Sequence, residues 1–205
     1  QWLYIKYITQ GWWDNYFYRI SDGYTQTLRF NNTYTVTANW SPHDTLLAYR
    51  TELIGDDDHF AIDVTFPDPS MNSPVINAQR LFVSDDFISI FKWSPDGQWI
   101  AFTNAGLGDY GLFRMRRDGG DLQRLYRNSV PISQVVWSPD VKWCTCLQFA
   151  GDDLFTLYQL DLDDNSLHIL GDYRVPYKLL SWSPDSQWLI YVIQEGDDNV
   201  VYRMH

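Results

Sequence analysis

Short runs of β-branched and aromatic residues alternate with clusters of Gly, Asp, Asn and Pro along the whole chain. That alternation is the signature of strands separated by tight turns. No window sustains apolar residues at i, i+3, i+4 and i+7, and turn residues interrupt roughly every ten positions, so helices are not expected. The run from Ile132 shows the pattern well: strand a over about 132–138, b over about 142–149, c over about 154–161 and d over about 166–170. Ser138-Pro139-Asp140, Gly151-Asp152-Asp153 and Asp163-Asp164-Asn165 supply the turns between them. Proline fixes φ there, and Asp or Asn bonds its own backbone.

This four-strand unit recurs. Trp-Ser-Pro begins at Trp40, Trp93, Trp137 and Trp182, so successive spacings are 53, 44 and 45 residues. A second aromatic follows at Trp99, Trp143 and Trp188, with Leu46 in that place earlier and Trp2 one period before it. A third landmark reads Tyr18-Arg19-Ile20, Ile62-Asp63-Val64, Phe113-Arg114-Met115, Tyr158-Gln159-Leu160 and Tyr202-Arg203-Met204. A fourth is one leucine per copy: Leu28, Leu81, Leu125 and Leu170. Four antiparallel strands per ~44 residues is the content of a propeller blade; a sandwich has similar strands but no such internal copy.

The run Trp93-Ser94-Pro95-Asp96-Gly97-Gln98-Trp99-Ile100-Ala101-Phe102, followed by Gly111, Leu112-Phe113-Arg114-Met115 and Asp118-Gly119-Gly120, resembles the TolB-type (WD-like) β-propeller repeat. The resemblance covers nearly the whole chain. It implies an all-β propeller of four-stranded antiparallel blades in a single domain, with blades over about 1–30, 31–82, 83–127, 128–171 and 172–205. The first copy has b, c and d only (about 2–9, 15–20 and 25–30), and the last has a, b and c only (about 177–183, 187–194 and 199–204). These two incomplete blades do not complement each other, and an unpaired strand edge is a liability. The expectation is therefore a segment of a longer protein, or a chain that leans on a partner.

Composition changes this picture at a few points. Eight of the ten Trp fall on the repeat landmarks, which assigns them to blade packing rather than ligand binding. The formal net charge of −11 argues against nucleic acid and anionic membrane surfaces, both of which want a basic patch. No apolar run is long enough to span a membrane as a helix. Cys144 and Cys146 stand two apart on strand b, matching Ile100 and Phe102 in the sister copy. They are expected as buried thiols, poorly placed for a disulfide and two ligands short of a zinc site. Asn31-Asn32-Thr33 is a formal glycosylation sequon.

The b–c turns carry the candidate chemistry. Asp14, Asp56-Asp57-Asp58, Asp109, Asp152-Asp153 and Asp197-Asp198 all fall there. Alternating strand direction places these turns on one face. One reading is a rim that binds a basic partner or a cation, since hard cations take oxygen ligands. The other is ordinary hairpin chemistry and solubility, and no stretch has a calcium-loop spacing. Trp12 and Trp13, read as part of the same b–c turn as Asp14, are either an aromatic platform for a protein or sugar or a cover for the open side of the first blade. The c–d connection of the second copy takes 17 residues from Val64 to Leu81, against 10 from Met115 to Leu125. It contains Phe66, Met71 and three prolines, and reads as a binding flap or a tolerated surface loop.

His43 stands where sister turns have Asp, and His59, His168 and His205 are scattered over different copies. No Gly-x-Ser-x-Gly elbow, phosphate loop, His-Glu-x-x-His or Cys-x-x-Cys occurs. No catalytic residue, metal ligand or cofactor is therefore expected. The resemblance implies a non-catalytic interaction or scaffold propeller, periplasmic or extracellular, that binds a protein partner. The alternatives are the gating propeller of a prolyl-oligopeptidase-like hydrolase whose catalytic domain lies elsewhere, and a sugar- or cation-binding propeller.

Overall fold

The computed structural model describes residues 2–9, 12–19, 21–23, 25–28, 33–44, 46–53, 59–66, 78–106, 110–152, 154–174 and 180–205; side chains are described at 18, 21–23 and, within those ranges, from 37 onward except 174. The described residues contain strands and no helix, and hence no helix long and apolar enough to cross a membrane. They divide into two compact units, Gln1–Asp85 and Asp86–His205.

Unit 1 holds two antiparallel sheets. The first is β1 (Trp2–Thr9), β2 (Trp12–Arg19) and β3 (Thr25–Leu28), in that order. The second is β4 (Thr33–Trp40), β5 (Leu47–Leu53), β6 (His59–Thr65) and β7 (Gln79–Ser84). Unit 2 holds three. The first is β8 (Phe87–Trp93), β9 (Trp99–Ala105), β10 (Tyr110–Arg116) and β11 (Gln123–Asn128). The next is β12 (Ile132–Trp137), β13 (Trp143–Gly151), β14 (Leu154–Asp161) and β15 (Leu167–Arg174). The last is β16 (Leu180–Trp182), β17 (Leu189–Glu195) and β18 (Asp198–Met204). Every sheet pairs only sequential strands, which is the meander of a propeller blade.

The repeat landmarks therefore mark blades, numbered 1–5 in chain order, with three strands in the first and last. Some bounds differ from expectation. Strand β15 runs four residues past Leu170, and β13 runs through Gly151 because a bulge between Phe149 and Gly151 keeps the pairing alive to Leu154. Asp198 pairs with Glu195 and belongs to β18, not to the turn.

Alternation along β13 shows how the core is built. Cys144 and Cys146 pack into a cluster with Ala101, Leu112 and Trp137, on the side of blade 3. Leu147, with Leu157, packs with Leu180, Leu189 and Tyr191, on the side of blade 5. Successive side chains of a strand point to opposite faces, so a blade between two others is apolar on both. Burial pushes the Cys144 thiol up to about 12, and both cysteines are free and buried. Trp93 and Trp137 are buried, and the Trp137 indole Nε1 donates to the Lys92 carbonyl across the blade boundary at 3.3 Å.

The Ser-Pro-Asp turn is one polar device used three times. Ser94, Ser138 and Ser183 each donate Oγ–H to the carboxylate of Asp96, Asp140 and Asp185, at 2.5, 2.6 and 2.5 Å. Each serine Oγ also accepts the backbone N–H of Trp99, Trp143 or Trp188 at 2.9 Å. Burial pushes the Asp140 carboxyl up, but bonds from Ser138, the Lys142 amide and Ser186, with the Lys142 charge, bring it below its ordinary value. Ser186 joins two blades, because its Oγ accepts the Asp140 N–H at 3.0 Å. In blade 2 the sequence reads Ser41-Pro42-His43-Asp44, and the carboxylate arrives one position late. Asp44 Oδ1 accepts the Leu46 N–H directly at 3.0 Å, while the Ser41 hydroxyl is buried without a partner among the described residues.

Candidate functional site

The direction of the inner strands in unit 2 decides which loops share an end. The final residues of β8, β12 and β16 (Trp93, Trp137 and Trp182) line one groove together, with Pro95 and Pro139. The first residues of β8 and β12 meet in a second groove, which also takes the end of β9 and the start of β10. The inner strands of blades 3 and 4 therefore start at one common end. Antiparallel pairing brings the b–c hairpins to that end as well.

Two described hairpins carry predicted acids there. In blade 4, Gly151 (φ 96°) and Asp152 (φ 49°) turn the chain into β14. The preceding bulge re-aims the side chains beside it. Phe149, 42% exposed, packs edge-on against Phe155 with ring centroids 5.5 Å apart. In blade 5 the loop is Gly196-Asp197, with Gly196 at φ 60° and Glu195 paired to Asp198. Glycine at the first of two loop positions suits the twist of the flanking strands. The Tyr202 hydroxyl donates to the Glu195 carboxylate, which raises the phenol's pKa. Asp152, Asp197 and Asp198 are all exposed.

The second groove is a cleft of about 390 Å³ between blades 3 and 4. Phe87 and Tyr110 supply rings, Ser89, Thr103 and Asn104 supply polar groups, and Ile132 supplies an apolar wall. Ser89 Oγ and Thr103 Oγ1 are hydrogen-bonded at 2.8 Å, and Thr103 Oγ1 accepts the Ile90 N–H at 3.0 Å. Deeper in the blade, the Asn128 amide donates to the Tyr126 hydroxyl at 2.8 Å and the Gln148 amide donates to the Val130 carbonyl at 3.2 Å.

The structure relocates three predicted residues. Trp12, Trp13 and Asp14 are not in a turn; they open β2, paired with Thr9, Ile8 and Tyr7. Their side chains, with Asp56, Asp57, Asp58, Asp109, Asp153 and Met71, lie outside the described set. Phe66 follows β6 in unit 1 and is 64% exposed. Unit 1 also buries a carboxylate, Asp63: the exposed Arg80 donates from Nε to its Oδ1 at 2.9 Å, and the buried Thr51 donates to its Oδ2 at 3.0 Å. Both carboxylate oxygens are thus bonded, as a buried charge requires. Among the described residues, no three His, Cys, Asp or Glu are placed to hold a metal ion.

The cleft residues were not singled out in the sequence, although a signal exists. Thr103 pairs with Leu112 as Leu147 pairs with Leu157 and Val192 with Val201. A hydroxyl thus stands where blades 4 and 5 each carry an aliphatic side chain.

Protein-family models and curated proteins yield no match to this chain. Solved structures do. TolB from Acinetobacter baumannii is 19% identical with a TM-score of 0.64, covering 98% of this chain and 48% of that one. An oligogalacturonate lyase in complex with manganese is 13% identical with a TM-score of 0.70, covering 93% of this chain and 53% of that one. The β-propeller domain of the Trilobed protease from Pyrococcus furiosus is 13% identical with a TM-score of 0.60, covering 85% and 55%. The chain has the TolB-like β-propeller fold. It spans about half the length of these three structures. The likeness of this TolB-like propeller to a lyase, to a protease domain and to TolB itself shows that one scaffold carries several sites, so function has to be argued from side chains.

Proposed function

We propose that this chain is a non-catalytic interaction propeller that docks a protein partner through the b–c end of unit 2, within an extracytoplasmic assembly. The observation that carries the reading is the Phe149–Phe155 pair, presented on a bulged hairpin with a large apolar ring in solvent and a carboxylate at the tip. A rigid sheet that exposes an aromatic side chain among polar loop residues has the make-up of a binding hot spot with its polar rim. Asp152, Asp197 and Asp198 favour a partner with basic residues facing them. The TolB-like fold supports the extracytoplasmic location.

A second reading, a propeller that covers the catalytic domain of a larger hydrolase, is supported by the likeness to the Trilobed protease domain. One experiment separates the two. A photo-crosslinking phenylalanine analogue is placed at Phe149, and as a control at Ile169, which is exposed on the outer strand β15. Irradiation in the native cells is expected to give a discrete heavier adduct from position 149 and none from 169. An internal crosslink at 149, with no gain in mass, would favour the hydrolase reading. No crosslink at 149 would defeat the docking proposal.

A further inference from the structure

We infer that the cleft between blades 3 and 4 binds a neutral pyranose sugar. The inference needs no protein partner and stands apart from the docking proposal. Three observations carry it. The cleft, at about 390 Å³, is within the size range of small-ligand pockets. None of the described side chains that line it is charged, in a chain of net charge −11. Its wall pairs aromatic faces with hydroxyl and amide groups: Phe87, 43% exposed, and Tyr110 stand beside Ser89, Thr103 and Asn104.

Each feature selects a property of the ligand. An exposed aromatic face wants a flat apolar surface to cover it, and the C–H face of a pyranose is one. A hydroxyl has one donor and two acceptor positions. The single contact of Ser89 Oγ with Thr103 leaves it able to bond two further groups, as the vicinal hydroxyls of a sugar offer. The Thr103 oxygen is fixed by the Ile90 N–H, so the pair is held in place before a ligand arrives. The absence of charge among the described lining residues sets the class. A uronate or a phosphorylated sugar would bring an anion with no cation to meet it among the described lining residues, while Asp152 stands exposed at the same end. A cation would find no carboxylate among the described residues that line the cleft.

The test is saturation-transfer NMR and calorimetry on the full chain. The ligands are glucose, galactose and N-acetylglucosamine, with galacturonate and adenosine as controls. At least one neutral sugar is expected to bind saturably, with galacturonate at least about tenfold weaker, a difference of about 1.4 kcal/mol. Phe87→Ala, at an exposed position, is expected to weaken that sugar about tenfold or more while the chain stays folded by circular dichroism. Ser89→Ala, which removes no ring, is expected to weaken it as well. Failure of every neutral sugar to saturate would overturn the inference. So would equal binding of galacturonate, preference for adenosine, or sugar binding that neither variant weakens. If Phe87→Ala does not fold, Ser89→Ala and Tyr110→Phe decide the matter, and unchanged affinity in both counts against it.

Discussion

One position in the Ser-Pro-Asp turn shows how a residue is chosen by backbone conformation. The residue after the turn aspartate is left-handed in three blades: Gly97 at φ 67°, Val141 at φ 61° and Ser186 at φ 59°. The Ser94 carbonyl accepts the Gly97 N–H at 2.9 Å, and Ser138 with Val141, and Ser183 with Ser186, repeat the bond at 3.0 Å. Glycine adopts this conformation without steric cost, whereas a β-branched residue there is a true outlier. Gly97→Ala is therefore expected to destabilise by about 1–2 kcal/mol, the cost of a Cβ in left-handed backbone. Urea unfolding reads it directly, as a lower midpoint at unchanged slope. An unchanged midpoint would mean that residue 97 is not left-handed. Val141 shows that the strain is tolerated; the Asp140 carboxylate, which accepts from the Ser138 hydroxyl and the Lys142 N–H, over-determines the turn.

At the scale of the strand, packing is carried by residues that touch the next blade. Trp137 is buried at the end of β12, belongs to the cluster with Leu112 and Leu160, and reaches the Lys92 carbonyl of blade 3. Trp137→Ala is expected to cost about 3–5 kcal/mol, as for other large core aromatics. Thermal or urea unfolding checks it, and a nearly neutral result would refute the role of this indole in joining blades. Trp137 was legible in the sequence because it recurs at a fixed period, as were the paired thiols of β13 and the meander itself. The hairpin from β1 to β2 was not. Asp14 resembles the turn acids of sister blades, but pairing from Thr9 with Trp12 onward makes it the third residue of the strand. Local turn chemistry had suggested a longer loop than the register allows. The cleft was hidden for another reason. Phe87, Tyr110 and Ile132 come from three strands in two sheets, and each alone is an ordinary strand-end residue. Only the meeting of blades 3 and 4 gives them a common surface.

At the scale of the whole chain, the question is how a sequence with 26 acidic and 15 basic residues distributes its charge. The basic residues are not spread evenly. Blade 3, over about 83–127, holds Lys92, Arg114, Arg116, Arg117, Arg124 and Arg127 against Asp85, Asp86, Asp96, Asp109, Asp118 and Asp121, so its charges balance in an acidic protein. Several of these arginines are held structurally. Arg114 and Arg116 lie over the Trp99 ring at 4.7 and 4.3 Å, and Arg116 pairs with Asp121 at 3.0 Å. Exposed Arg124 and Arg127 on the outer strand β11 also suit an edge that should not pair with other chains. The excess of negative charge therefore falls on the rest of the molecule, where like charges repel and the compact state is destabilised. Screening relieves that repulsion, because the Debye length shrinks from about 30 Å at 0.01 M salt to about 8 Å at 0.15 M. The melting temperature is expected to rise between those two concentrations by about 2–4 °C, the response of a chain of this size to a gain of about 1 kcal/mol. A melting temperature that stays flat or falls would mean that attractive pairs such as Arg80–Asp63 and Arg116–Asp121 outweigh the net charge. The fold would then be held by local charge pairing, and the acidic excess would matter only for what approaches its surface.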